Sequence, residues 1–327
     1  MDIIKRIRSR AAQLDGHLLL PESGDPRVLE AARFLSEERL CQKVTLVGKE
    51  DEIRNRAESN DIELPEEIES IDFENWHDRR QLIEYLYNRR KHKGLTKEGA
   101  EELLSHPLFF AACLTGRGYA DGCVGGSLAT TRDVLRAALQ CIGTREGTSI
   151  ISSIFLMAMP DGRVFTYGDC GVVPYPDKYE LADIALESAK THSLLTGEKP
   201  MVAMLSFSTK GSAEHEKQAL VLEALEIARK KSPGLLIDGE LQFDAAYMPE
   251  VAKRKAPGSE VAGRANVYIF PNLDAGNIGY KITERVGGAS ATGPILQGLR
   301  KPMMDLSRGC DWEDIVNAGC VALLMGE

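Results

Sequence analysis

Residues 121–136 read DGCVGGSLATTRDVLR, and the fold is decided on this stretch. A short apolar run ends in glycines and hydroxyls, and a helix begins at about Thr130 or Thr131. That is a βα junction: a strand, a tight turn and a capped helix start. Glycines leave the backbone N–H groups of such a helix N-terminus exposed, which makes an anion site. Arg132 and Arg136, four apart, share one helical face and add charge. A plain βα turn with a threonine N-cap accounts for the same pattern, so from these residues alone both readings stand.

The same alternation extends in both directions. Strands are expected at 17–20, 44–47, 122–124, 149–159, 164–167, 201–206, 235–237 and 267–270. Helical patterns lie at 27–38, 80–89, 107–117, 131–141, 181–195, 214–231 and 276–286. Strand and helix in turn specify an α/β architecture with largely parallel sheets. The chain has 327 residues, roughly twice a typical ~150-residue domain, so two domains are expected. Small and turn-forming residues at 144–148 and 287–294 read as hinges. They divide the chain into a discontinuous domain, 1–147 plus 295–327, and a second at 148–294, with a cleft between them as the natural ligand site.

Composition excludes several classes. Apolar residues are 43% and charged residues 27% of the chain, which rules out a mainly disordered or collagen-like protein. The net charge of −9 argues against a nucleic-acid partner. The apolar run 150–159 falls short of the ~18 residues that span a bilayer. Met1 to Leu14 carry Ile3, Ile4, Ile7 and Ala11 on one face, an amphipathic helix, and no secretory signal follows. Seven cysteines, an odd number with no C-x-x-C pair, fit free thiols in a reducing cytoplasm. No metal motif is found.

Familiar nucleotide and nucleophile motifs are absent. There is no P-loop and no G-x-S-x-G, and Gly116-Arg117-Gly118 precedes a strand, where a dinucleotide fingerprint would follow one. Two other clusters carry possible chemistry. Residues 88–94, NRRKHKG, gather cations at a helix end, where macrodipole compensation is an equal explanation. Residues 305–317, DLSRGCDWEDIVN, offer Ser307 as a hydrogen-bond donor, Arg308 as an anion clamp and Asp314 as a base. Spacing alone favours a plainer account, with Asp311 capping the last helix and Asp314 at its third position.

Taken together, the chain resembles the phosphate acetyl/butyryltransferase family, the phosphate acetyltransferases. The matching stretches are LPESGDPRVLEAA (20–32), RRKHKG (89–94), ADGCVGGSLATTRDVLRAALQ (120–140), VAMLSFSTKGSA (202–213) and IDGELQFDAA (237–246). KAPGSEVAGRANVYIFPNLDAGNIGYK (255–281), GPILQGLRKPMMDLSRGC (293–310) and EDIVN (313–317) complete them, in order over essentially the whole chain.

The resemblance implies reversible acetyl transfer between CoA and inorganic phosphate, giving acetyl phosphate. It implies two α/β domains of the isocitrate/isopropylmalate dehydrogenase kind, an interdomain cleft and a cytoplasmic homodimer. CoA would be a substrate, with no tightly bound cofactor or metal and no membrane partner. Ser307, Arg308 and Asp314 match the family's catalytic set, which outweighs the plain capping account of Asp314. Arg90 and Arg136 match its substrate-binding arginines, with Gly126, Thr130 and Thr131 in the loop beside Arg136. Gly162 follows Pro160-Asp161 where some relatives carry cysteine, so a mechanism through that thiol is not expected. The long extra N-terminal region of larger relatives is not expected here. Butyryl transfer, or a non-catalytic acyl-CoA-sensing module like the C-terminal domain of some malic enzymes, are the alternatives.

Overall fold

The computed structural model describes residues 3–326; Met1, Asp2 and Glu327, which the expected first helix and first domain include, lie outside them. Four strands come first: β1 (His17–Leu20), β2 (Lys43–Val47), β3 (Glu69–Ile71) and β4 (Gly122–Gly125). Six follow: β5 (Ser152–Ala158), β6 (Val164–Gly168), β7 (Met201–Leu205), β8 (Leu236–Leu241), β9 (Val267–Ile269) and β10 (Ser290–Gln297). A last strand, β11 (Met303–Asp305), pairs with β4.

These strands form two sheets in two α/β units. One unit comprises Ile4–Glu146 and the chain from Leu299 on; the other comprises Gly147–Gly298 together with Ile3. The first sheet has the order β11-β4-β1-β2-β3, with every pairing parallel. The second runs β10-β5-β6-β9-β7-β8, parallel from β6 to β8 and antiparallel from β10 to β6. Two α/β regions with mostly parallel sheets are therefore present.

Local sequence explains most of the elements. Leu18, Leu19 and Leu20 are fully buried, as a parallel strand covered on both faces requires. Helix Pro107–Gly116 is apolar all round, and every residue after its first is buried. Helix Ile3–Ala11 buries Ile3, Ile7 and Ala11. Thr130 caps helix Thr131–Ala137 by accepting from the Asp133 N–H at 3.2 Å.

Three expectations need correction. The long strand at 149–159 is confined to Ser152–Ala158, because the Ser149 N–H and hydroxyl both donate to Asp183. The stretch 287–294, read as a hinge, mostly belongs to β10, which pairs with β5. Its pairing register shifts between Thr292 and Ile295, and proline, having no N–H for a ladder, falls inside that irregularity on the sheet's edge strand. The three-residue strands β3 and β11 are not among the strands expected from the sequence.

Strand order sets the site. In the first sheet the chain proceeds from β1 outward through β2 and β3, while β4 and β11 lie on the other side. The crevice at the carboxyl ends of β1 and β4 is thus a topological switch point, where ligands bind in open α/β sheets. All the candidate residues singled out from the sequence belong to this unit.

Candidate active site

Three strand ends build the site: Pro21–Asp25 after β1, Gly126–Thr130 after β4, and Leu306–Asp311 after β11. The loop after β4 departs from the expectation of open amides. Glu22, buried at the end of β1, fills it. One carboxylate oxygen accepts from the N–H groups of Gly126 (2.7 Å) and Ser127 (2.8 Å) and from the Ser127 hydroxyl (2.9 Å). The other accepts from the N–H groups of Leu128 (3.1 Å) and Ala129 (2.7 Å). The nest is real, but its anion is the protein's own. Gly126 contributes close packing: at φ +112°, a Cβ there would lie 2.7 Å from the Leu306 nitrogen and 2.8 Å from Asp305 Oδ1. Thr130 is likewise engaged, donating to Asp133 Oδ2 at 2.7 Å.

Asp305, the last residue of β11, is 4% exposed, and its Oδ1 has no hydrogen-bond partner. Burial pushes its carboxyl up to about 6; a Thr131 hydrogen bond opposes this and the Glu22 charge adds to it. Thr131 itself is exposed.

Beyond Asp305 the chain makes a tight turn. The Gly309 N–H donates to Ser307 Oγ at 3.2 Å, and the Cys310 N–H to the Ser307 carbonyl at 2.9 Å. As an acceptor in that turn, the Ser307 hydroxyl keeps its own proton to donate. Arg308 is exposed, and its guanidinium has neither a hydrogen bond nor an ion pair among the described residues. Cys310 is no competing nucleophile, because burial pushes its thiol up to about 11.

Helix Trp312–Gly326 then starts with reciprocal caps. Asp311 Oδ1 accepts from the Asp314 N–H at 2.9 Å, and Asp314 Oδ2 accepts from the Asp311 N–H at 3.2 Å. The plain capping account is therefore geometrically correct for both residues. It does not exhaust Asp314, whose side chain is open to solvent. Crowding by surrounding atoms raises its carboxyl above the ordinary value, partly opposed by the Asp311 N–H, and the charges of Asp311 and Glu313 raise it further. A raised carboxyl is a stronger base.

The remaining arginines divide by partner. Arg89 is structural: its Nη2 donates to the Ile142 carbonyl at 2.7 Å and its Nε to that of Gln140 at 3.5 Å. Arg90, at the end of helix Arg79–Arg90, is half-buried with no such partner among the described residues. Arg136 is exposed over the Phe109 ring, 5.4 Å from its centroid. It lines a cleft of about 910 Å³ together with Glu22, Leu128, Ala129 and Asp133. Arg90, Ser307, Arg308 and Asp314 do not line that cleft.

Sequence reading missed Glu22, Asp25, Arg27 and Asp305. Asp25-Pro26 signals a helix start, and Asp25 does cap helix Pro26–Glu37. Nothing local marks Glu22, whose five hydrogen bonds come from four residues more than a hundred positions away. Among the described residues no helix is long and apolar enough to cross a membrane, and no metal-ligating cluster occurs.

Comparison with known proteins agrees along the whole chain. A family profile described as Phosphate acetyl/butaryl transferase matches residues 2–323. A phosphate acetyltransferase of Thermoanaerobacterium thermosaccharolyticum is 47% identical over 322 residues, covering 97% of each chain. Among solved structures, a phosphotransacetylase from Streptococcus pyogenes matches with TM-score 0.95 at 39% identity, over 99% of this chain and 98% of that one. The EutD phosphotransacetylase from Staphylococcus aureus matches with TM-score 0.92 at 40% identity and the same coverage.

Proposed function

The chain belongs to the Phosphate acetyl/butaryl transferase family, and from that premise we propose how its own residues work. It is an acyltransferase that moves an acetyl group reversibly between CoA and inorganic phosphate. The observation that carries the assignment of roles is the exposed turn after β11. It gathers a hydroxyl with a free proton, an arginine with no carboxylate partner among the described residues and a carboxylate of raised basicity within eight residues, Ser307 to Asp314.

In the direction of acetyl-CoA, Asp314 takes the proton from the CoA thiol. The sulfur attacks the carbonyl carbon of acetyl phosphate, and the C–O bond to phosphate breaks. An ordinary Asp at ~3.9 facing a thiol at ~8.5 is about 4.6 pK units short, or roughly 6 kcal/mol for full transfer. The raised carboxyl of Asp314 narrows that gap, and proton transfer concurrent with attack covers the remainder. Arg308 holds the phosphoryl group with its forked donors. Ser307 donates to the oxygen that becomes negative in the tetrahedral transition state. Arg90 and Arg136 bind the phosphates of CoA, flanked on the Arg136 side by Thr130 and Thr131. Gly126, with its N–H committed to Glu22, serves by shape alone.

The wider assignment is a homodimer in the cytoplasm, with domains at 1–147 plus 295–327 and at 148–294 in the isocitrate/isopropylmalate dehydrogenase arrangement. The test is an assay of thioester formation from acetyl phosphate and CoA, run beside Arg308→Ala. Thioester formation that collapses in the variant supports the roles. An undiminished rate in the variant would move the phosphoryl site elsewhere.

A further inference from the structure

One guanidinium ties together the three strand ends that build the site. Arg27, in the first turn of helix Pro26–Glu37, uses every nitrogen of its fork. Nε donates to Asp25 at 3.1 and 3.2 Å, and Nη2 donates to Asp25 Oδ2 at 2.7 Å. Nη2 also reaches the Ser127 carbonyl at 3.0 Å, in the loop after β4. Nη1 donates to the carbonyls of Arg308 at 2.9 Å and Cys310 at 2.6 Å, in the turn after β11.

The anchor itself is firm. Asp25 is 4% exposed. Burial alone would raise its carboxyl, yet hydrogen bonds from the Arg27 side chain and backbone N–H hold it below the ordinary range. Its hydrogen bonds to Asp25 raise Arg27 correspondingly. The pair thus stays charged, and the charge-assisted bonds to Arg308 and Cys310 are of the stronger kind.

We propose that Arg27 is a positioning residue for acetyl transfer: through the Arg308 and Cys310 carbonyls it fixes the backbone from which Ser307 and Arg308 project. It need not touch substrate. The inference rests on the reading of the Ser307–Asp314 turn as the reacting segment. Lysine cannot replace Arg27, since a point ammonium keeps the Asp25 ion pair but does not span two loops in a planar fork.

The experiment is a double-mutant cycle on the full chain: wild type, Arg27→Lys, Arg308→Ala and the double variant, assayed with acetyl phosphate and CoA. Arg27→Lys should lower kcat about tenfold, the equivalent of one hydrogen bond to a charged group, with KM for CoA little changed. In the Arg308→Ala background the same substitution should lower kcat by a clearly smaller factor, because of the two side chains it positions only Ser307 remains. A wild-type kcat in Arg27→Lys, or an equal loss in both backgrounds, overturns the clamp and leaves the catalytic reading intact. A wild-type kcat in Arg308→Ala overturns that reading, and the clamp with it. Should Arg27→Lys fail to fold, Asp25→Asn keeps the shape and loosens the same fork. The identical loss in kcat and dependence on Arg308 are expected there, and their absence overturns the proposal.

Discussion

The loop after β4 and the loop after β7 are built alike and differ in the charges around them. In each, an acid from the neighbouring strand fills a ring of donors: Glu22 under Gly126–Ala129, and Glu240 of β8 under Ser208–Gly211. Glu240 accepts from the Ser208 hydroxyl and the Gly211 N–H, both at 2.8 Å. Beside the second loop, Lys210 is tied to Asp238 at 2.5 Å, and Arg229 reaches the same carboxylate at 3.0 Å. In the unit of the first loop, Arg90 and Arg308 have no acid at all among the described residues. Donor-rich loops at strand ends are therefore architecture in this fold. On the proposed reading, Arg308 beside the first of these loops takes the phosphate, a role for which the second loop, with Lys210 held by Asp238, is not set up.

A second contrast between the units is buried deeper. Among the described residues, the buried side-chain polar atoms lacking a partner are His192 Nε2 in one unit and Asp305 Oδ1 in the other. Burial lowers His192 to about 4 and raises Asp305 to about 6. As pH falls from 6.5 toward 4, the unfolded chain takes up the His192 proton before the folded one, so stability is lost. As pH falls from about 6 toward 3.8, the folded state takes up the Asp305 proton first, so stability is gained. Each effect is on the order of 3 kcal/mol when complete. Denaturant unfolding at about pH 7 and about pH 4.5 should therefore find His192→Gln less acid-sensitive than wild type. Asp305→Asn should be stabilised chiefly at the higher pH, and the reverse pattern would break the contrast.

The charge comparison is sharpened by paired substitutions. Arg308→Ala should lower kcat/KM by the equivalent of about 1.5–3 kcal/mol, as for hydrogen bonds to charged groups. Lys210→Ala should act mainly on stability, by about 1 kcal/mol or less for a partly exposed pair. Steady-state kinetics and thermal unfolding of both variants separate the outcomes. Equal kinetic losses would mean that the second loop also handles substrate.

The likeness of the two loops predicts a loss of stability when either buried acid is changed. Glu22→Gln replaces a carboxylate that accepts at both oxygens by an amide that can accept at only one, and should cost about 1–3 kcal/mol in unfolding free energy. Glu240→Gln should cost less, because the Ser208 and Gly211 bonds meet on one oxygen that the amide can still supply. A neutral Glu22→Gln would mean that the Gly126–Ala129 amides are readily satisfied by something else.

Much of this was legible in the residues themselves. Alternating strands and amphipathic helices specify the α/β class, and the caps at Thr130 and Asp311 are readable from local chemistry. Strand β11 is not, because three residues carry no periodicity. Strand β10 is hidden by its Gly293-Pro294, which reads as a turn until β5 supplies the pairing. The open amides expected after Gly125 fail for a tertiary reason, since Glu22 arrives from another strand end. Arg27 is invisible for the same cause: its fork joins residues up to 283 positions apart. Local rules find the turns, and only packing reveals what fills them.

The central claim is that the turn after β11 does chemistry as well as capping, and Asp314→Asn tests it most directly. A helix cap and dipole role alone predicts a stability loss of ~0.3–1 kcal/mol with turnover nearly untouched. The account predicts a fall in kcat of ~10²–10⁴-fold with substrate KM little changed, because an amide cannot take the thiol proton. Raising the pH, which supplies thiolate directly, should restore part of the rate. A folded Asn variant with near-normal kcat at neutral pH would contradict the account and leave Asp314 a capping residue.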